Sequence, residues 1–138
     1  MKITKRFKWV MGHRLTFHQG GCYNIHGHNY ECKISVEGYL ENNMVIDFGE
    51  LSKLFQELVH NPWDHSFLVY EEDNFRELLL MWSKDRPFKI ALFPVETTAE
   101  NIAKYLFDIF SQKINNERIR VTRVKVYETP TSEAACYE

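Results

Sequence analysis

The stretch CYNIHGHNY, residues 22–30, concentrates side chains that can bind a metal or transfer a proton. His26 and His28 stand two residues apart, so in a β-strand both imidazoles would point to the same side. His13 ends an earlier alternating segment and lies on its apolar face. If these two strands pair, three imidazoles converge on one point. Three histidines with an open coordination position are typical of catalytic zinc, whereas structural zinc sites usually have four protein ligands.

A simpler interpretation is that each histidine is an ordinary core or surface residue held by hydrogen bonds. That interpretation would be favoured for an isolated H-x-H pattern, but the placement of His13 and the nearness of Cys22 both favour a metal site beside a thiol. Imidazole ligands suit zinc but also iron, nickel and copper. Cys22 could instead be an unreactive loop thiol. His18 and His60 have no such placement, and we interpret them as loop and helix-end residues.

Composition limits the classes of function open to the chain. Its 138 residues are the usual size of one domain, taken as residues 1–138, and 44% hydrophobic residues indicate a globular protein. The net charge of −2 gives no electrostatic reason to expect a nucleic-acid or membrane partner. The N-terminal MKITKRFKWV lacks the apolar segment of a signal peptide, and the cysteine count of three is odd, so we expect reduced thiols and a cytoplasmic location.

Hydrophobic patterning predicts the elements that must position these side chains. The predicted strands are 3–13, 26–39, 44–48 (MVIDF), 88–93 and 119–128. Apolar residues at helical spacing follow a D-x-x-E at Asp47 and a T-x-x-E at Thr97, both typical helix starts. A further short helix is predicted over 74–83. This order predicts an α+β domain with helices on one face of an antiparallel sheet.

Several of these segments together resemble the 6-pyruvoyltetrahydropterin synthase family, and within it the bacterial 6-carboxytetrahydropterin synthases of the queuosine pathway. The matching segments are GHRL (12–15), CYNIHGHNY (22–30), VIDFGEL (45–51), DHSFL (64–68), TTAEN (97–101) and VYET (126–129). They occur in the family's order and run over most of the chain. The three residues between Cys22 and His26 are similar to the bacterial branch, whereas the stretch 69–95 is longer than in compact members.

The resemblance implies a role for nine residues. The implied zinc ligands are His13, His26 and His28. The implied catalytic groups are Cys22 and the acid–base pair Asp64 and His65. The implied pterin-binding residues are Glu128, Glu100 and Thr98. The residues alone leave other readings open: Asp64 and His65 could be a surface turn pair, Glu100 could serve only in a helix cap, and Glu128 could be a strand-end charge.

The resemblance also implies a reaction. A zinc-dependent lyase of this kind converts 7,8-dihydroneopterin triphosphate to 6-carboxy-5,6,7,8-tetrahydropterin and releases triphosphate and acetaldehyde. One alternative is a 6-pyruvoyltetrahydropterin synthase, which eliminates triphosphate without cleaving a carbon–carbon bond. Another is a non-catalytic member that binds a pterin or a metal.

The fold implied by the resemblance is the tunnelling fold. It has a four-stranded antiparallel sheet with two helices packed on one face, and its subunits join edge to edge into a β-barrel. Two stacked trimers would give a homohexamer. The polar face of the second predicted strand, which carries Glu31 and Lys33, would then line the barrel interior, and Glu128 and Cys22 of different chains would serve one pocket.

Overall fold

The two histidine-bearing segments form one long antiparallel hairpin. β1 (Lys2–His13) and β2 (His26–Gly38) pair from Lys2 opposite Glu37 to His13 opposite His26. His28 lies opposite Met11 in this register. Because side chains alternate along a strand, the three histidines emerge on the same face at the same end of the hairpin. The metal site was predicted on the condition that these two strands pair, and β1 and β2 do pair.

The computed structural model describes residues 1–138 and contains a six-stranded sheet of order β4-β3-β1-β2-β5-β6. The remaining strands are β3 (Ser66–Tyr70), β4 (Ile90–Phe93), β5 (Ile119–Thr129) and β6 (Ser132–Tyr137). β1, β2, β5 and β6 pair with one another in antiparallel orientation, whereas β3 is parallel to both β1 and β4. The expected sheet of four antiparallel strands is thus extended at one edge by two short parallel strands.

Three helical segments accompany the sheet. α1 (Phe48–Phe55) continues through a π-helical turn (Gln56–His60) into α2 (Asn61–Trp63), and the others are α3 (Phe75–Trp82) and α4 (Ala99–Ile114). α1 and α4 pack on one face of the sheet, as expected. The ring centroid of Phe55 in α1 lies 4.2 Å from that of Phe7 in β1 and 6.4 Å from that of Phe110 in α4. α3 is a third helix and contacts β3 through Phe75 and Phe67 at 5.9 Å. None of these helices is long and apolar enough to cross a membrane.

The expected strand over 44–48 is wrong. Asn42 and Asn43 adopt positive φ angles of 50° and 65° and make a tight turn that ends in an isolated bridge between Glu41 and Met44. Val45 is buried, but its carbonyl accepts a hydrogen bond of 2.8 Å from the Arg118 guanidinium instead of pairing in the sheet. Arg118 therefore takes the place of a neighbouring strand, and the apolar run packs as a loop.

Other boundaries shift by one or two residues. The last long helix begins after Thr98, whose hydroxyl accepts a hydrogen bond from the Asn101 N–H, so Thr98 rather than Thr97 is its N-cap. The Asp47 side chain caps α1 as expected by accepting from the Gly49 N–H. β3 and β6 were not predicted: β3 is a five-residue apolar run without alternation, and β6 (SEAACY) is rich in small residues.

Candidate metal centre and active site

The three histidines form a compact cluster at the end of the β1–β2 hairpin. One ring nitrogen of each lies within 4.8 Å of those of the other two, and the ring centroids are 4.6–5.2 Å apart. The Nε2 atoms of His13, His26 and His28 are all buried, and none has a hydrogen-bond partner. Buried polar atoms are rarely left unpaired, so three such nitrogens facing each other fit a bound cation. Their role as ligands remains a prediction.

Hydrogen bonds fix the orientation of two of these rings. His13 Nδ1 lies 2.9 Å from the Thr97 carbonyl oxygen, and His26 Nδ1 lies 2.8 Å from the Asn24 carbonyl oxygen. A carbonyl oxygen only accepts, so in both rings Nδ1 carries the proton and the Nε2 lone pair is free. A backbone carbonyl that holds Nδ1–H in this way is the usual partner of a metal-binding histidine.

The surroundings of the cluster lower the pKa values of two of its histidines. Burial lowers the pKa of His13 to about 4, with further lowering by the charges of His26 and His28, although the hydrogen bond to Thr97 opposes it. Burial and then the charge of His26 also lower the pKa of His28. Neutral imidazole is the form that binds a metal, so the folded chain holds at least these two rings ready at neutral pH.

The metal-free protein is expected to lose stability as the pH falls from 7 to 4.5. The pKa of His13 is about 4 in the folded chain against 6.5 as a free side chain, so the unfolded chain takes up a proton first and is favoured in this window. If fully titrated, this single group is worth about 3 kcal/mol. Urea unfolding of chelator-treated protein at several pH values measures the effect. A His13→Gln variant provides the control, and an equal pH dependence in both proteins would contradict the prediction.

Glu128 connects the cluster to a pocket. One of its carboxylate oxygens lies 3.8 Å from His13 Nε2, and its side chain is 25% exposed. Burial, followed by the charge of Glu100, raises the pKa of Glu128, while His26 acts to lower it. A pocket of about 330 Å³ beside it is lined by Thr98 and Glu100 as well as by Glu128. The three residues for which the resemblance implies pterin binding therefore line one cavity.

Thr98 is expected to matter for stability through its cap. Its hydroxyl accepts from the Asn101 N–H at 3.2 Å, so Thr98→Ala should lower the free energy of unfolding by about 1 kcal/mol. Thr98→Ser keeps an acceptor and should retain most of the stability. Chemical unfolding of the two variants measures the difference. Equal stability of Thr98→Ala and the parent would contradict the capping role.

Cys22 lies in the short turn that leads into β2. It occupies the middle of a 3₁₀ turn (Gly21–Tyr23), is half-buried and forms no disulfide. Its carbonyl accepts a 2.8 Å hydrogen bond from the Leu15 N–H, which ties the turn to the chain just after β1. Burial raises the pKa of Tyr30, and so do the charges of Glu128 and then Cys22, which places both groups within electrostatic reach of the same phenol.

Asp64 and His65 form a separate pair. His65 Nδ1 lies 2.6 Å from Asp64 Oδ2, while Asp64 Oδ1 accepts a 3.0 Å bond from the Val10 N–H. Burial acts to raise the pKa of Asp64, but these two hydrogen bonds, together with the charges of His65 and His60, lower the pKa. His65 has a positive φ of 57°, a strained conformation for a non-glycine residue. No hydrogen bond joins the pair to Cys22 or to the histidine cluster within the chain.

Three residues near these groups were not predicted from the sequence to belong to the site. Thr97 orients His13 through its carbonyl, and His60 Nε2 lies 3.5 Å from Asp64 Oδ2. Tyr30 is buried, and its hydroxyl has no hydrogen-bond partner, although its ring lies only 5.4 Å from that of His28. The available signals were weak: His60 precedes Asp64 by one helical turn, and Tyr30 continues the face of His28 along β2.

Comparison with known proteins identifies the family to which the chain belongs. A 6-carboxy-5,6,7,8-tetrahydropterin synthase of Haemophilus influenzae is 35% identical over 140 residues, which cover 95% of this chain and 94% of that protein. The enzyme of the same name from Rickettsia bellii is 33% identical over 133 residues, covering 94% and 95%. The crystal structure of an uncharacterized protein from Wolinella succinogenes has the same fold, with a TM-score of 0.87 at 22% identity over 100% of this chain and 98% of that one. Residues 2–138 match the model of the 6-pyruvoyl tetrahydropterin synthase family, and the chain belongs to that family.

Proposed function

We propose that this chain is a zinc-dependent lyase that converts 7,8-dihydroneopterin triphosphate and water to 6-carboxy-5,6,7,8-tetrahydropterin, triphosphate and acetaldehyde. This reaction would serve the biosynthesis of 7-deazaguanine compounds such as queuosine. The observation that carries the proposal is the group of three unpaired Nε2 nitrogens beside the Glu128 carboxylate. The names of the two bacterial relatives that align over nearly their whole length support the carboxy product.

His13, His26 and His28 would hold the metal. Three neutral imidazoles leave its charge uncompensated, which is why such a set suits a catalytic ion. When bound, zinc would act as a Lewis acid that makes the neighbouring hydroxyl and C–H protons of a ligand easier to remove. The chain's own contribution is to keep the two Nδ1–H groups of His13 and His26 on backbone carbonyls, so that the rings stay aimed.

Glu128 is proposed to bind the pterin ring. A carboxylate can accept two parallel N–H bonds from a 2-amino-4-oxo ring, and this bidentate grip gives both affinity and orientation. The carboxylate stands between the histidine cluster and the 330 Å³ pocket, so a ring held there would direct its side chain toward the histidines. Glu100, on the first turn of α4, borders the same pocket and is proposed as a second polar contact.

Cys22 and the Asp64–His65 pair are proposed to move protons. A cation lowers the pKa of a nearby thiol, so a cysteine beside a metal centre can act as a base near neutral pH. Asp64 accepts the Nδ1–H of His65, which leaves His65 Nε2 free to receive or return a proton. A positioned acid or base of this kind typically contributes about 100- to 10,000-fold to a rate.

We propose that the working site is assembled from more than one chain of a homohexamer. Asp64 lines a wide groove of about 960 Å³ over the polar face of the sheet, together with Lys8 and Lys33. Neighbouring chains of the barrel would close over this groove, so that pockets form between subunits. Pairing of sheet edges in a barrel would also cover the open edges of β4 and β6.

The product decides between this proposal and its nearest rival. The protein, purified with zinc, would be incubated with 7,8-dihydroneopterin triphosphate, and the products would be identified by mass spectrometry with acetaldehyde measured in parallel. The carboxy product together with acetaldehyde supports the proposal. A 6-pyruvoyl product without acetaldehyde would assign the chain to the simple elimination, and complete recovery of the substrate would leave only a non-catalytic binding role.

A further inference from the structure

A partly buried ion pair, between Arg14 and Asp73, begins one residue after the candidate metal ligand His13. Arg14 Nε and one terminal nitrogen donate to the two carboxylate oxygens of Asp73, both at 2.8 Å. The side chains are 16% and 3% exposed. Asp73 also accepts a 2.9 Å bond from the Phe75 N–H. This two-pronged geometry fixes the plane of the guanidinium, which a single contact would not.

Two aromatic rings lie close to that guanidinium. Its central carbon lies 4.8 Å from the Tyr23 ring and 5.3 Å from the Phe75 ring. Tyr23 directly follows Cys22, whereas Asp73 and Phe75 belong to the segment 69–95 that lies outside the family motifs. Arg14 therefore links that segment to the turn that carries the candidate catalytic thiol.

The Cys22 turn has few other attachments. None of its residues, Gly21–Tyr23, is buried, and Tyr23 is 48% exposed. One backbone hydrogen bond ties these three residues to a more distant part of the chain. The Leu15 N–H donates it, and the Cys22 carbonyl accepts it. A turn held this weakly depends on side-chain packing for its position, and the stack of Tyr23 on Arg14 supplies it.

Contacts that do not involve the Arg14 guanidinium hold the Arg14 backbone and the neighbouring His13 ring. The Arg14 carbonyl accepts a 3.1 Å bond from the Thr97 hydroxyl, and the neighbouring His13 ring is held by the Thr97 carbonyl. The guanidinium takes no part in these contacts. Loss of the Arg14 side chain should therefore disturb the Cys22 turn without disturbing the histidine cluster.

We propose that Arg14 is a positioning residue that sets the place of Cys22 through Tyr23, and that Asp73 and Phe75 hold Arg14 for this purpose. The inference deepens the proposed function, on which its catalytic consequence rests. The proposal gives part of the segment 69–95 a role. Through Asp73 and Phe75, this segment holds Arg14, which in turn supports the Cys22 turn. A thiol displaced by about 1 Å can cost about 100-fold in rate, so a modest loosening would be visible in turnover.

The first test compares Arg14→Gln with Arg76→Gln, a change of the same kind within the segment 69–95 that holds Arg14. In zinc-loaded protein, Arg14→Gln is expected to speed amide hydrogen exchange across residues 20–24 while exchange within β2 and the zinc content stay at parent values. The turnover number should fall by about 10- to 100-fold with little change in KM. Arg76→Gln should match the parent in every measurement.

The second test uses the stacked ring and remains informative if Arg14→Gln fails to fold. Tyr23→Phe keeps the ring and should retain parent exchange and turnover, whereas Tyr23→Ala should reproduce the Arg14→Gln behaviour. Unchanged exchange at residues 20–24 in both Arg14→Gln and Tyr23→Ala, or equal loss in Tyr23→Phe and Tyr23→Ala, would overturn the proposal. If the parent itself does not turn over dihydroneopterin triphosphate, the proposed function fails, and the exchange measurements alone decide the role of Arg14.

Discussion

His26→Ala is expected to abolish stable zinc binding and to lower lyase turnover by more than about 100-fold. Loss of a residue that only supports a metal ligand already costs about 10- to 100-fold in affinity or activity, and loss of a ligand should cost more. The ring nitrogens lie within 4.8 Å of each other, so two remaining imidazoles would hold the ion with one contact fewer. Metal analysis of the purified variant and product formation from the triphosphate substrate measure the two effects.

His18→Ala is the matched control for this experiment. His18 is a histidine of the loop after β1, and its Nδ1 accepts a bond from the Gly20 N–H, so it is not part of the cluster. Its replacement should leave zinc content and turnover at parent values. Full zinc occupancy in His26→Ala, or equal losses in the two variants, would remove His26 from the set of ligands. Chelation of the parent followed by return of zinc tests the same point without a mutation.

Periodicity predicts the strand faces on which the three clustered histidines lie. The alternation that placed His13 on the apolar face of β1 and both His26 and His28 on one face of β2 depends only on strand geometry. The apolar residues that continue those faces, such as Trp9 and Cys32, are buried as that pattern requires. What the pattern could not provide was the register, because pairing His13 opposite His26 depends on the loop between the strands and on the core beneath them.

Tertiary contacts decided the places where sequence reasoning was wrong. The apolar run at 44–48 looks like a strand locally, but Arg118, more than 70 residues away in the chain, donates a hydrogen bond to the Val45 carbonyl. β3 pairs in parallel with β1 at only two positions, which no local pattern encodes. The α+β class and the packing of α1 and α4 on one face were predictable, since both follow from amphipathic patterning that needs no knowledge of distant partners.

The candidate catalytic residues show a further limit of sequence reasoning. The Asp64–His65 bond is local and could be expected from adjacency, yet the positive φ of His65 could not. No hydrogen bond joins that pair to Cys22 within one chain. The proposed barrel and hexamer remain predictions that bear directly on the mechanism.

Cys22→Ala is expected to lower turnover by about 100- to 10,000-fold, the usual contribution of a positioned base. Zinc content should stay at the parent value, because the three rings are held by β1, β2 and the Thr97 and Asn24 carbonyls rather than by the thiol. Product formation under saturating substrate, together with metal analysis of the same sample, separates the two quantities.

Cys136→Ala provides the comparison for that variant. Cys136 is a second half-buried thiol, but it lies on the edge strand β6, opposite Val124, and the one hydrogen bond of its thiol goes to the Tyr137 carbonyl oxygen. Its replacement should leave turnover unchanged. A Cys22→Ala protein that works at the parent rate would show that another group removes the proton. Equal losses in both variants would indicate instead that thiol loss acts through stability. A selective loss in Cys22→Ala with intact zinc is the result that only a chemical role of this thiol explains.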